Sequence, residues 1–446
     1  MDHLPPDAVG EAVAAAISEI LGGASVDFVY YPDDAPPPAA PEAGSTAAAT
    51  GRGPAGWLIQ SVVRLVGRVA PGTTPESTPL LQILHALPGA GLQVAERFRA
   101  VGGDAAAPVT PFLRRALRDT IVIETLGRFP TSTSDHPGAT TLIAETVEFL
   151  IELSGSRVEA QDLTHGVVIS DVLPDVPRLR FEYPADLRAA KRAPLLFDGQ
   201  RSLLVVDREG RARSELQRHR LQHLIPGAPP LRAEASEFTS SGSFVAEATR
   251  RLGGIGFFLR ADRTIWAFVD GQPLLVRRAE HWTAFPLELA AAIANVIGGG
   301  HAAAAMVVRA AFIISAQRQG AILAIFDDAG ALDDVVSSKD RYDLRDAVDP
   351  QAMQMETRLH HLIDAEELDA ETLARLAALD GATIIDRHAR LLAYGAIVTS
   401  ADSQHEGART AAAKTLSLTA EIVLKVSVDG DITVFHAGEM LATLLG

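Results

Sequence analysis

The 446-residue chain contains no cysteine. That excludes disulfides, a thiolate nucleophile and every zinc or iron–sulfur site built on cysteine, and it fits a reducing, cytoplasmic setting. Basic residues are also outnumbered, with 40 Lys and Arg against 56 Asp and Glu and a formal net charge of −16. No nucleic-acid partner is expected from this balance, because sequence-independent binding rests on neutralising many phosphates. A single phosphate site stays open, since a few local cations and backbone amides suffice for one. Long apolar runs are missing too. The most membrane-like stretch, 287–316, is broken by Gly298-Gly299-Gly300-His301 and by Arg309, so neither half supplies the roughly 20 apolar residues of a span. The start, Met1-Asp-His-Leu-Pro-Pro, is acidic where a secretory leader is basic and then apolar. A soluble cytoplasmic protein without membrane contact is expected. P-loop, G-x-S-x-G, H-E-x-x-H and EF-hand patterns are all absent.

What is present suffices for a buried core, with 47% hydrophobic and 22% charged residues. The length suggests two or three domains at roughly 150 residues each. Helical spacing over 7–22 is followed by a short strand at 26–31. Residues 32–56, rich in Pro, Ala, Gly and Ser with three prolines at 36–38, read as a flexible loop. From 57 to about 155 the chain reads as mainly helical, most clearly at Thr140–Leu153. Strands and polar turns follow to 285, with hairpins at Leu203–Arg211 and Gly256–Phe268. Phe244, Phe257, Phe258, Trp266, Phe268, Trp282 and Phe285 read as core aromatics. Helices around 287–318 introduce a last strand-rich segment, which places a boundary near 285. The predicted organisation is therefore 1–31, 32–56, 57–285 and 286–446. The predicted fold class is α/β (α+β), a C-terminal mixed sheet flanked by helices after a helical and strand-rich N-terminal region. Strand–Asp-Arg-x-x-Arg–strand occurs twice, at Asp207–Arg211 and Asp386–Arg390. A duplication is conceivable, but this turn chemistry is common between strands. The adjacent His360 and His361 would point about 100° apart on a helix, cannot chelate one ion together and read as solvated.

Chemistry concentrates in the last segment. Gln317-Arg-Gln-Gly-Ala leads into the strand Ile322–Phe326; Asp380-Gly381-Ala382 opens a hairpin; Gly407-Ala408-Arg409 starts an alanine-rich helix; Val426-Ser427-Val428-Asp429-Gly430 links two strands. A carboxylate followed by glycine at a strand mouth can hold a divalent cation while the backbone approaches a ligand. A Gly-x-Arg at a helix start offers free amides, a favourable dipole end and a guanidinium for phosphate. Taken singly, Asp-Gly-Ala is equally a turn and Gly-Ala-Arg equally a plain helix start.

In this order, over about residues 295–446, the four features resemble the nucleotide-binding domain of the diadenylate cyclases, first known from the bacterial DNA-integrity scanning protein. That resemblance implies an α/β domain that condenses two ATP into the second messenger cyclic di-AMP. Two domains face each other, each 3′-hydroxyl attacking the other nucleotide's α-phosphate, so the active species is at least a dimer. It further implies that Asp380 binds Mg²⁺ or Mn²⁺ beside the attacking hydroxyl, and that Gly381 and Ala382 let the backbone approach the nucleotide. Ile397 would pack on adenine, Arg409, with Gly407, Ala408 and Thr410 at the same helix start, would hold triphosphate oxygens, and Ser427 and Asp429 would lie at the phosphate end. The N-terminal region resembles the sensor regions of divergent members, with an unidentified small-molecule ligand.

Two motifs depart from the family pattern. Arg-His-Arg is here Arg409-Thr410-Ala411, and Ser-Glu-Glu is Ser427-Val428-Asp429. Lys414, three residues beyond Ala411 on the same helix face, can restore a charge or be a solvated helix residue; Lys425 and His405 are further candidates. Three functions follow: a divergent diadenylate cyclase, a receptor or scaffold that keeps the pocket without the chemistry, and a nucleotidyltransferase with another product.

Overall fold

The computed structural model describes residues 8–21, 25–30, 46–52, 57–64, 79–100, 111–129, 138–158, 161–172, 181–189, 196–224, 243–285, 293–294, 296–333, 335–345, 359–363, 365, 368–398 and 407–444. These divide into two compact units, one ending at Phe285 and the other beginning at Ile293.

The first unit opens with helix α1 (Ala8–Ile20) and a three-stranded antiparallel sheet of β1 (Ser25–Tyr30), β2 (Thr46–Arg52) and β3 (Trp57–Arg64), with β3 central. Two expectations fail here. Thr46–Arg52, placed in the flexible loop, pairs along its whole length with β3. Trp57–Arg64, placed in the helical stretch, is a strand because Trp, Ile and two Val suit a pleated sheet better than a helix. The remainder of the 32–56 segment lies outside the described residues.

Helices α2 (Pro79–Ala100), α3 (Pro111–Leu126) and α4 (Gly138–Ser154) follow, then a two-stranded hairpin of β4 (Arg157–Val158) and β5 (Gln161–Asp162). The main sheet comprises β6 (His165–Ile169), β7 (Phe181–Glu182), β8 (Ser202–Val206), β9 (Arg211–Gln217), β10 (Ile255–Leu259), β11 (Ile265–Val269), β12 (Gln272–Arg278) and β13 (His281–Ala284). Its order is β13-β12-β11-β10-β6-β8-β9-β7. Three helices interleave: α5 (Ala185–Ala189), α6 (Arg218–Leu224) and α7 (Ser243–Leu252). Every residue of β6, β8, β10 and β11 is buried, which is why these strands read as continuous apolar runs. All seven aromatics assigned to the core are buried.

The second unit holds α8 (His301–Ala316), β14 (Ala321–Phe326), α9 (Ala370–Ala377), β15 (Ala382–Asp386), β16 (Leu391–Ala396), α10 (Ala408–Leu416), β17 (Ile422–Val426), β18 (Ile432–His436) and β19 (Glu439–Leu444). The mixed sheet runs β16-β15-β14-β17-β18-β19, with β14 and β15 parallel and the other pairs antiparallel. Strand alternation sorts its two faces. Ile322, Ala324 and Phe326 pack with Ala413 and Leu416 of α10. Leu323 and Ile325 point the other way and are fully buried, the side where α8 and α9 pack on the sheet. The fold is thus mixed α/β with the C-terminal sheet flanked by helices. Asp369 caps α9 by accepting from the Thr372 amide at 2.7 Å. His360, expected to be solvated, is buried in the 3-10 turn Leu359–Leu362, its ring centroid 4.8 Å from Tyr394. Among the described residues no helix is long and apolar enough to cross a membrane.

Candidate functional site

Strand register in the second unit brings the separated motifs to one sheet edge. Ile322 pairs with Ala382, Ala382 with Ala396, and Ala321 with Val426. Continued one or two residues past the paired ends, these registers set Asp380 beside Gly320 and Gly320 beside Ser427. At about 4.8 Å per strand the Asp380 and Ser427 backbones lie about 10 Å apart. Ile397 follows directly on β16 at the same edge, and Gly407-Ala408-Arg409 starts the helix packed on this face.

Arg409 reaches this edge at Gly320. Its guanidinium lies over the Gly320 backbone so closely that a Cβ at residue 320 would fall 2.5 Å from Nη1 and 2.7 Å from Cζ. Only glycine leaves that space. Gly381 meets a similar demand with φ 102°, and a Cβ there would sit 2.5 Å from the Gly395 carbonyl carbon. The Asp380 loop is therefore held tightly against the end of β16. Behind Gly395, Tyr394, Tyr342 and His360 form an aromatic cluster, and Tyr342 Oη donates to the Ile363 carbonyl at 2.8 Å. Burial holds the His360 ring below the ordinary histidine range, favouring its neutral form.

Asp380 is exposed, and its Oδ1 accepts from the Gly381 amide at 3.2 Å. The carboxylate keeps lone pairs for a cation. One carboxylate suits Mg²⁺ or Mn²⁺ arriving on a nucleotide, since such ions keep waters and phosphate oxygens as their other ligands. Among the described residues no group of three or more His, Asp or Glu could hold a metal by itself. Ser427 accepts from the Asp431 amide at 3.1 Å, and Gly430, whose carbonyl takes a bond from Ser315 Oγ at 2.6 Å, closes the turn. The hydroxyl proton of Ser427 is left to donate. Asp429 is exposed at the hairpin tip.

Two of the candidate cations fall at different places along α10. Lys414 lies in the last turn of α10, about a turn and a half from Arg409. Lys425, on β17, reaches the first turn instead, and its Nζ donates to Thr410 Oγ1 at 3.1 Å. Lys425 and Ser427 share one face of their strand. Among the described residues Lys425 has no carboxylate partner, and Arg409 makes no hydrogen bond or ion pair. Among the described residues, two positive charges without a carboxylate partner thus lie at the N-terminal turn of α10, the positive end of its dipole. His405 lies outside the described residues. A lysine two residues before Ser427 in an otherwise apolar strand was the sequence signal for this contact. Leu379, Ile397 and Val428 are 50, 60 and 55% exposed, so the same edge also offers apolar side chains to a flat ligand. No family model matches this chain, and no curated protein matches it either.

Proposed function

We propose that the second unit binds a nucleoside triphosphate with a divalent metal, and that the protein is a divergent diadenylate cyclase. The observation carrying this reading is the convergence of Asp380, Arg409, Lys425 and Ser427 on one sheet edge. Arg409 and Lys425 would hold triphosphate oxygens, Arg409 in its planar fork and Lys425 as a point charge. Ser427 would donate its hydroxyl to the same group, and Ile397 and Leu379 would flank the base. Asp380 would hold Mg²⁺ or Mn²⁺, which when bound neutralises charge on the phosphate oxygens.

In the reaction each ATP 3′-oxygen bonds to the α-phosphorus of the other nucleotide, two pyrophosphates leave, and the two hydroxyl protons pass to solvent. Cyclic di-AMP is the product, and self-association supplies the second nucleotide. The first unit would act as a sensor region for a small molecule, in a cytoplasmic protein. A receptor or scaffold that binds nucleotide without turnover is the second reading, favoured by Thr410 and Ala411 standing where the family has histidine and arginine. A nucleotidyltransferase with another product is the third.

Mass spectrometry of products after incubation with ATP and Mn²⁺ tests the three, with Asp380→Asn as control. Cyclic di-AMP from wild type alone supports the first, binding without product supports the second, and a different nucleotide supports the third.

A further inference from the structure

The two main sheets follow one plan. β9-β8-β6-β10-β11-β12 in the first unit and β16-β15-β14-β17-β18-β19 in the second have the same order, with β6 and β8 parallel exactly where β14 and β15 are, and antiparallel pairs elsewhere. In the connection from β9 to β10 and in that from β16 to β17, a helix leads into the second strand, α7 in one and α10 in the other.

The turns share a set of hydrogen bonds and left-handed positions. The Arg211 amide donates to Asp207 Oδ1 at 2.8 Å, and the Arg390 amide to Asp386 Oδ1 at 2.9 Å; Gly210 and Ala389, both left-handed, precede those arginines. In the next hairpin Arg260 N bonds Thr264 O at 2.9 Å, as Ser427 N bonds Asp431 O at 2.8 Å, with Arg263 and Gly430 both at positive φ. Asp270-Gly271 (φ 49° and 78°) corresponds to Ala437-Gly438 (φ 50° and 79°). The Gly271 amide donates to Thr249 Oγ1 and that of Gly438 to Ser417 Oγ, each at 3.0 Å. Three turns with the same bonds in the same order are not a generic consequence of a shared fold class.

From these features we infer that the chain is a tandem duplication of one fold, and that only the second copy retains a polyphosphate site. Counting back from Asp207 and Asp386 along paired strands puts Arg201 at the place of Asp380. Counting along β10 and β17 puts Phe258 at the place of Lys425 and Arg260 at that of Ser427. The carboxylate is replaced by a cation, and the lysine by a fully buried ring. Phe258 lies so close to Gly199 that a Cβ there would fall 2.5 Å from its ring. Arg260 stacks 4.6 Å over Trp266 and faces Asp262. The carboxylate and the lysine are thus gone from the first edge among the described residues, the counterpart of the Arg409 helix start lying outside them, and on this inference each chain holds one nucleotide. The ligand is that of the proposed function, on which this inference rests.

Calorimetric titration of the full chain with α,β-methylene-ATP plus Mg²⁺, and separately with tripolyphosphate, tests it. One equivalent per chain is expected, weakened about 10- to 100-fold by Arg409→Ala and unchanged by Arg201→Ala. Two equivalents, or a single site lost in Arg201→Ala and insensitive to Arg409→Ala, overturns the inference while leaving nucleotide binding intact. Tripolyphosphate binding that depends on Arg409, without binding of the nucleotide, keeps the one-site inference and removes the nucleotide reading. Binding of neither probe overturns both.

Discussion

Gly320→Ala isolates the seat of Arg409 from the fold around it. The added methyl would sit 2.5 Å from Nη1 and 2.7 Å from Cζ, against an ordinary separation of about 3.5 Å or more. The guanidinium must therefore move by about 1 Å, enough to break charge-assisted bonds that need about 2.7–2.9 Å. Losing such bonds to phosphate costs about 1.5–3 kcal/mol, or about 10- to 100-fold in Kd for ATP. The fold should absorb the change, because all three close atoms belong to the far end of the Arg409 side chain. Calorimetry with Gly320→Ala, Arg409→Ala and the double variant measures the coupling, and thermal melting measures the fold. In the Arg409→Ala background the alanine should have no further effect on affinity. An equal loss in both backgrounds, or a large fall in Tm with affinity unchanged, would refute the reasoning.

Lys425→Met should weaken ATP binding about 10- to 100-fold by the same measure, whereas Lys414→Ala should stay within about twofold; equal effects would return Lys425 to a structural role. Asp380→Asn should abolish Mn²⁺-dependent turnover with little change in Tm, since the carboxylate is exposed and accepts a hydrogen bond from its own neighbour's amide. Gly381→Ala should behave in the opposite way, losing stability by more than about 2 kcal/mol in a urea melt, because both its positive φ and the Gly395 backbone resist a side chain. Asp369→Ala should cost about 1 kcal/mol through loss of the α9 cap. The Thr372 amide holds the Asp369 carboxyl below its ordinary range, so its contribution is present above about pH 4 and lost as pH falls through the lowered value.

Local patterns carried much of the fold. The hairpins at Leu203–Arg211 and Gly256–Phe268 were legible because apolar runs flank short polar turns, and Thr140–Leu153 because its apolar residues recur at helical spacing. β2 was not legible, since Thr-Ala-Ala-Ala-Thr-Gly-Arg has no apolar stripe and owes its strand state to the ladder with β3. The site was half legible. Asp380 and Arg409 stand in recognisable local motifs, but Lys425 reaches Thr410 from a neighbouring strand, which linear spacing does not reveal. The repeat we infer showed in the sequence only as the doubled Asp-Arg-x-x-Arg turn, for a related reason. Its turns are defined by backbone bonds and left-handed residues, and arginine at 263 serves where glycine serves at 430.

Helix α10 is fastened unequally. At its C-terminal end Ser417 bonds both the Lys414 carbonyl and the Gly438 amide, tying the helix to the β18–β19 turn. At its other end Gly407 supplies no side-chain cap. Any rotation of this helix about Ser417 would be largest at its first turn, where Lys425 bonds Thr410 and Arg409 stands. An anion seated there would serve as the absent cap, so ordering of the first turn and occupancy of the site become a single equilibrium. Substitutions at Ser417 or Gly438, remote from any ligand, would then be felt as changes in affinity.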